Sequence, residues 1–216
     1  MKNKLLIALL ALAFFPVIGF SQIDLMPWGG YNFGARVGIY GGELRVNGAG
    51  TYGINIDYNL DYDNAIQFSY SNAQSRIRIN DYYYPGGGIT NGNFSNVSEN
   101  YFLLGGVRYF MDEQIKPYGS VSMGLAYYNI TDVDQYYQQY SQTDMLRFAV
   151  GFGLGMKVML SDMIGIDMHI RALAPIQWGG VGIGVGTGGA SAGVYAGSSF
   201  ISGDVGGGLI IRLGDK

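Results

Sequence analysis

The chain of 216 residues contains no cysteine, a single histidine and only 13% charged residues. Without thiols it can have neither a disulfide scaffold nor a cysteine-ligated metal centre, and His169 alone among scattered carboxylates gives no metal-ligand spacing. So little charge beside 48% apolar residues excludes a disordered chain. A net charge of −3 removes the electrostatic basis for binding nucleic acid. In place of helix formers there are 36 Gly, 18 Tyr and 11 Phe, a composition that points to strands.

Residues 1–21 read as a secretory signal peptide. Lys2 and Lys4 form a positive n-region, Leu5 to Ile18 is apolar apart from Pro16, and Gly19-Phe20-Ser21 puts small residues at the −3 and −1 positions of a cut before Gln22. The apolar run falls short of the roughly 20 residues that a spanning helix needs, which argues against an anchor. With no Cys after it, a lipid-modified N-terminus is excluded. Residues 22–216 are then expected to form one domain.

No later apolar run is long enough to cross a bilayer as a helix, yet the periodicity contradicts a soluble protein. In residues 52–60, Tyr52, Ile54, Ile56, Tyr58 and Leu60 share one face, while Gly53, Asn55, Asp57 and Asn59 share the other. Residues 146–158 repeat this, with Leu146, Phe148, Val150, Phe152, Leu154, Met156 and Val158 opposite Arg147, Ala149, Gly151, Gly153, Gly155 and Lys157. A soluble sandwich alternates too, but it seldom sets small residues so regularly on the face away from its large ones. Large residues facing lipid around a lumen of small and polar ones are what a membrane barrel requires.

Six further segments fit, beginning at Phe33, Ile66, Leu103, Ser120, Ile166 and Asp204, which makes eight. In the segment from Leu103, the alternation sends Leu103, Val107 and Tyr109 to lipid and Leu104, Gly106 and Arg108 inward. The connections test the count. Asp61 to Asn64, Met111 to Lys116 and Ser161 to Met163 are short, whereas Gly41 to Thr51, Asn80 to Asn100, Thr131 to Asp144 and Gly188 to Ser199 are long. This strict alternation matches periplasmic turns and extracellular loops, with both termini on the periplasmic side. The expected fold is all-β, an eight-stranded antiparallel transmembrane up-and-down β-barrel. Two aromatic girdles are expected, with Trp28, Tyr31, Phe33, Tyr109, Phe110 and Tyr118 near the periplasmic ends and Tyr52, Tyr101, Tyr127 and Tyr128 near the outer ends.

The eight segments and the closing strand from Asp204 to Leu213 resemble the small bacterial outer-membrane β-barrel proteins, the group of OmpX, OmpW and the OmpA membrane domain. The resemblance is one of pattern over the whole of residues 22–216. It implies residence in the outer membrane of a Gram-negative envelope, with outer-membrane lipid and, during insertion, the barrel-assembly machinery as partners. It also implies that Asp204, Gly206, Leu209 and Ile211 carry the assembly signal. Members usually end on an aromatic residue, whereas this chain ends Leu213-Gly214-Asp215-Lys216.

The expected lumen charges are Arg36, Arg108, Arg147, Lys157, Arg171 and Arg212, with Asp57, Asp167, Asp204 and His169. Eight strands enclose only enough room for side chains, so these groups should pair across the interior. Six cations against three acids leave room for water, a bound anion or loop residues, and a narrow anion path is the alternative to a salt-bridge core. Catalysis has weak support, because His169 has Asp167 and Arg171 on its own face and no nucleophile beside it in the sequence. Gly151, Gly153 and Gly155 lie within a strand, which is the wrong context for a nucleotide loop. No cofactor is implied.

Gly180, Gly182, Gly184, Gly186 and Gly188 leave one face of the segment after Trp178 bare, within a seventh segment that runs from Ile164 to about Thr187. That stretch reads either as a hairpin standing beyond the membrane or as a taper of the barrel mouth. The loop carrying Tyr82, Tyr83 and Tyr84 has the composition of a contact surface. The expected role is non-enzymatic: an envelope structural or adhesion protein, or an accessory subunit of an assembly with other envelope proteins. The alternative is a narrow, porin-like channel for small solutes or anions.

Overall fold

The structure, a computed structural model, describes residues 22–39, 42–81, 91–111, 114–132, 144–176, 181–186, 189–194 and 201–214. The expected signal peptide and the loop with Tyr82, Tyr83 and Tyr84 lie outside the described residues. Within them the chain forms β1 (Ile23–Asn32), β2 (Ala35–Ile39), β3 (Gly42–Val46), β4 (Ala49–Asn59), β5 (Asn64–Asp81) and β6 (Asn91–Tyr109). There follow β7 (Ile115–Thr131), β8 (Asp144–Met159), β9 (Ile164–Ile176), β10 (Val181–Gly186), β11 (Gly189–Val194) and β12 (Ser202–Leu213). Ten strands make one antiparallel sheet in the order β2-β3-β5-β4-β1-β12-β9-β8-β7-β6, and β5 pairing with β6 closes it.

The barrel has eight staves, because β1 with β2 and β3 with β4 each make one interrupted stave. The break after β1 is at Gly34, whose φ of 72° suits glycine, and Asn32 Oδ1 accepts the Gly34 N–H at 2.7 Å. The closed eight-stranded antiparallel barrel is therefore as expected, but its first stave begins at Ile23 rather than Phe33. Pro27 and Gly29 on the outer face break the run of large residues there, so β1 has no clean alternation to read. The seventh stave ends at Ile176 instead of near Thr187, and the Gly-rich stretch forms a separate hairpin of β10 and β11.

The outer wall is apolar. Ile66, Phe68, Phe102, Leu104, Val121, Met123, Leu146, Phe152, Leu154, Ile170, Val205 and Leu209 are 40–64% exposed, far more apolar surface than a soluble chain tolerates. Strands provide the crossing, and no helix among the described residues is long and apolar enough to span a membrane. β5 has 18 residues. At about 3.3 Å each and a tilt near 40°, it rises about 45 Å, or roughly 20 Å beyond an apolar band of about 25 Å. Where β5 and β6 clear that band their outer face turns polar, with Asn72, Gln74, Arg76, Asn96 and Ser98. Hydrophobic alternation fades there although hydrogen bonding continues, which is why residues 91–100 read as loop in the sequence and are strand in the structure.

Two expectations about facing are corrected. In β6, Tyr101, Leu103, Val107 and Tyr109 are buried in the lumen, while Phe102, Leu104 and Arg108 face outward. Both faces of this stretch carry large residues, so the arginine misled the assignment; the tyrosine hydroxyls decide it by finding lumen partners. Likewise Trp28, Tyr109 and Tyr118 point inward rather than forming an inner girdle, as do Tyr101 and Tyr128 near the outer end. Tyr31 and Phe33 stand at the outer end of β1. At the inner end, the Asn64 side chain and the Asp63 and Asn64 backbone N–H groups hold the exposed Asp61 carboxyl below the usual carboxylate range and shape the turn into β5.

Glycine crowds the concave face because neighbouring backbone closes on it. A Cβ at Gly124 would collide with the carbonyl oxygen of Phe102, and one at Gly53 with that of Tyr70. On the convex face, a Cβ at Gly119 meets only Phe110 at 3.4 Å and Leu154 at 3.8 Å. Gly124→Ala is expected to lower stability by about 1–3 kcal/mol through overpacking, and Gly119→Ala to leave it nearly unchanged. Urea titration read by the mobility shift between folded and unfolded barrel on a gel checks both.

Candidate functional site

The lumen is where the chain concentrates its chemistry, and it is layered. At the periplasmic end, β8 carries Lys157 to the axis, where it is 1% exposed. Its three donors are used: Nζ lies 3.1 Å from Asp24 Oδ2, 2.8 Å from Asp57 Oδ2 and 2.8 Å from the Tyr109 hydroxyl. Arg212 Nε binds Asp24 Oδ1 at 2.8 Å, and Gln67 and Tyr109 donate to Asp57 at 2.7 and 3.0 Å. Two cations and two carboxylates thus neutralise one another with their hydrogen-bonding capacity largely spent, the condition under which buried charge is tolerated.

One layer outward, Asp167 accepts from Tyr118 at 2.8 Å and from His169 Nδ1 at 2.6 Å. The His169 ring meets Trp28 edge-on, with centroids 4.8 Å apart. The Arg171 guanidinium lies 4.3 Å over the Trp28 ring and grips Asp204 through Nε at 2.9 Å and Nη2 at 2.8 Å. Its Nη1 donates to Ser69 at 3.0 Å, and Ser69 donates on to Asn55 at 2.7 Å. Further out the lumen turns apolar. Ile77, Val97, Tyr101, Leu103, Ala126, Tyr128, Ala149 and Leu173 form one buried cluster, with the Tyr101 and Tyr128 hydroxyls 2.7 Å apart.

Of the residues expected inside, the structure brings Asp57, Lys157, Asp167, His169, Arg171, Asp204 and Arg212 together in these layers. Arg147 faces the lumen apart from them, with Nη2 3.8 Å from Met145 Sδ. Arg108 is not in the lumen at all. Arg36 lies in β2, opposite Arg45 of β3 and above the layers described; its side chain is outside the described residues. The sequence reading missed two acids. Asp24 was lost with the unread first stave, although the pattern Asp24, Met26, Trp28 at every second position marks a face. Glu99, 3% exposed, was lost in a stretch read as loop. The expected excess of lumen cations disappears: the described lumen holds Lys116, Arg147, Lys157, Arg171 and Arg212 against Asp24, Asp57, Glu99, Asp167 and Asp204.

His169 offers no nucleophile-activating geometry among the described residues. Nδ1 is held by Asp167, while Nε2 is buried without a protein partner beside Gly206 and Trp28. No group of three or more metal-ligating side chains occurs among the described residues. In β12, Asp204 and Gly206 face the lumen, while Leu209 and Ile211 face out.

No protein-family model matches the chain, and no curated protein does. Solved structures share its fold. The outer membrane protein OprG from Pseudomonas aeruginosa superposes with a TM-score of 0.60 at 12% identity, over 91% of this chain and 97% of that one. Neisserial surface protein A (NspA) gives 0.54 at 10% identity, over 89% and 97% of the two chains. The outer membrane protein AlkL, determined in lipid bilayers, gives 0.51 at 14%, over 91% and 93%. The fold is that of the small outer-membrane β-barrels, and the apolar wall fits such a barrel to a lipid bilayer.

Lys157→Met is expected to cost about 3–5 kcal/mol, because it leaves the buried Asp57 without a cation and Asp24 with Arg212 alone. Adding Asp57→Asn to Lys157→Met should recover part of that loss, a non-additivity that a double-mutant cycle in urea measures.

Proposed function

We propose that this chain is a non-enzymatic integral outer-membrane barrel whose lumen is structural, and that it acts through its wall and its extracellular strands. It would serve as an envelope structural or adhesion protein, or as an accessory subunit of a larger outer-membrane assembly. The observation that carries this reading is the filled interior: a neutralised charge layer at the periplasmic end and an apolar plug at the outer end. An eight-stranded barrel has no width to spare once those side chains are in place. The narrow solute channel is the weaker reading for the same reason. Beyond the membrane, Gln74, Ser75, Arg76, Asn96, Val97, Ser98 and Thr131 line a polar recess of about 450 Å³ on the β5–β7 wall, a built surface suited to contact. Insertion by the barrel-assembly machinery through Asp204, Gly206, Leu209 and Ile211 belongs to the same proposal.

Purified wild-type protein in planar bilayers should be electrically silent. The doubly substituted Tyr101→Ala, Tyr128→Ala protein should stay silent as well, because the charge layer at the periplasmic end still fills the lumen. Stable openings in the wild type would overturn the structural-lumen reading in favour of the channel.

A further inference from the structure

Arg108 is a lumen candidate that the structure places on the outer wall, and its position there gives it a use. It lies one residue from the periplasmic end of β6, exposed, among groups otherwise chosen for hydrocarbon. The pairing registers put Arg108 beside Gly119, Gly119 beside Leu154, Leu154 beside Ile170 and Ile170 beside Val205. The neighbouring outer row reads Val121, Phe152, Ala172, Gly203. Because the strands are staggered, these rows climb from the inner end of β6 to the outer end of β12.

Between them runs an open groove of about 680 Å³, lined by Phe110, Gly119, Phe152, Leu154, Ala172 and Gly203, with Arg108 at its inner end and Phe33 at its outer end. Its floor is low where side chains are missing. A Cβ at Gly119 or Gly203 would find only ordinary or slightly tight contacts, at 3.4 Å to Phe110 and 3.4 Å to Phe33. Backbone crowding therefore does not require these two glycines, unlike Gly124. Five inter-strand steps of about 4.8 Å separate β6 from β1, so the groove runs about 24 Å around the wall and, at a strand tilt near 40°, climbs about 15 Å of the apolar band.

We propose that this groove binds one phospholipid of the inner leaflet, with its phosphate on Arg108 and an acyl chain laid along Gly119, Phe152, Ala172 and Gly203. The direction follows from charge: the cation stands at the periplasmic interface, where a phosphate lies, and the far end is aromatic. A guanidinium is weakly hydrated and matches phosphate geometry, so it suits this place better than an ammonium. Asp61, in the turn at the same level, accepts from Asn64 Nδ2 at 3.0 Å, and Asn64 is the β5 register partner of Arg108, so this carboxylate is the competing anion.

Native mass spectrometry of the detergent-purified protein, titrated with phosphatidylglycerol, tests this. One lipid should be retained per barrel at low lipid ratios. Diacylglycerol with the same acyl chains, lacking the phosphate, should be retained several-fold less. Arg108→Gln should weaken retention about fivefold, the factor expected for one arginine at an anionic interface, and Asp61→Asn should strengthen it. Gly119→Leu and Gly203→Leu should weaken retention by filling the floor, with the folded mobility on gels showing that the barrel is intact. Equal retention of both lipids, or Arg108→Gln and Gly119→Leu binding as the wild type does, would overturn the site and leave only an unspecific lipid annulus.

Discussion

A strand in hydrocarbon can satisfy its backbone only by pairing with a neighbour on each side, and around a closed ring every strand has two. That requirement accounts for most of what this chain does. Closure through β5 and β6 completes the ring, with β2, past the break at Gly34, paired on one side to β3. With eight staves the circle is tight, so the concave face is crowded by carbonyl oxygens, and positions such as Gly53 and Gly124 leave no room for a Cβ. The convex face must be apolar, so polar chemistry within the membrane is forced into the narrow interior. A charge sent there has to meet its partner inside, which is why Lys157 finds two carboxylates and a phenol within 3.1 Å.

The barrel was legible because alternation is imposed by lipid on one face and by crowding on the other, and both constraints act most fully in β4 and β8. Where either constraint relaxes, the pattern fades while the strand continues. In β1, Pro27 and Gly29 take outer positions where large residues would have signalled a stave. Above the membrane, water favours polar side chains such as Gln74 and Asn96 over leucine, so β5 and β6 run on unseen. In β6 both faces are bulky, and the deciding information is a set of phenol hydroxyls whose partners lie on β4, β7 and β8. Side-chain pairs between distant strands leave no local mark in a sequence.

The same limit applies to the lumen site. Its members on β8, β9 and β12 could be named one by one, because each stands at an inward position of a regular stave. Their pairing could not be read, since it depends on the stagger between staves. Asp24 joins Arg212 and Lys157 across sequence separations of 188 and 133 residues. A surplus of cations in the interior would have needed an anion, and so suggested a path for one. With Asp24 and Glu99 inside and Arg108 outside, that surplus vanishes and the layers around Lys157 and Arg171 become self-sufficient, while Glu99 Oε2 stays buried without a partner among the described residues.

Self-sufficiency also explains what such a costly interior is for. Apolar side chains of similar volume could fill the lumen with equal or better stability, because desolvating charges consumes most of what their attraction returns. They would not fix the stagger. Arg171 and Asp204 are direct cross-strand partners of β9 and β12, whereas Lys157 of β8 reaches β1 and β4, and Arg171 reaches Ser69 of β5. Sliding any of these staves by one residue would turn its charges outward into hydrocarbon and leave their partners stranded inside. A leucine core would tolerate such a slip far better. The network therefore selects one register among many barrels of similar packing, and by doing so it aligns the outer rows that carry Arg108, Gly119 and Gly203 into a single groove.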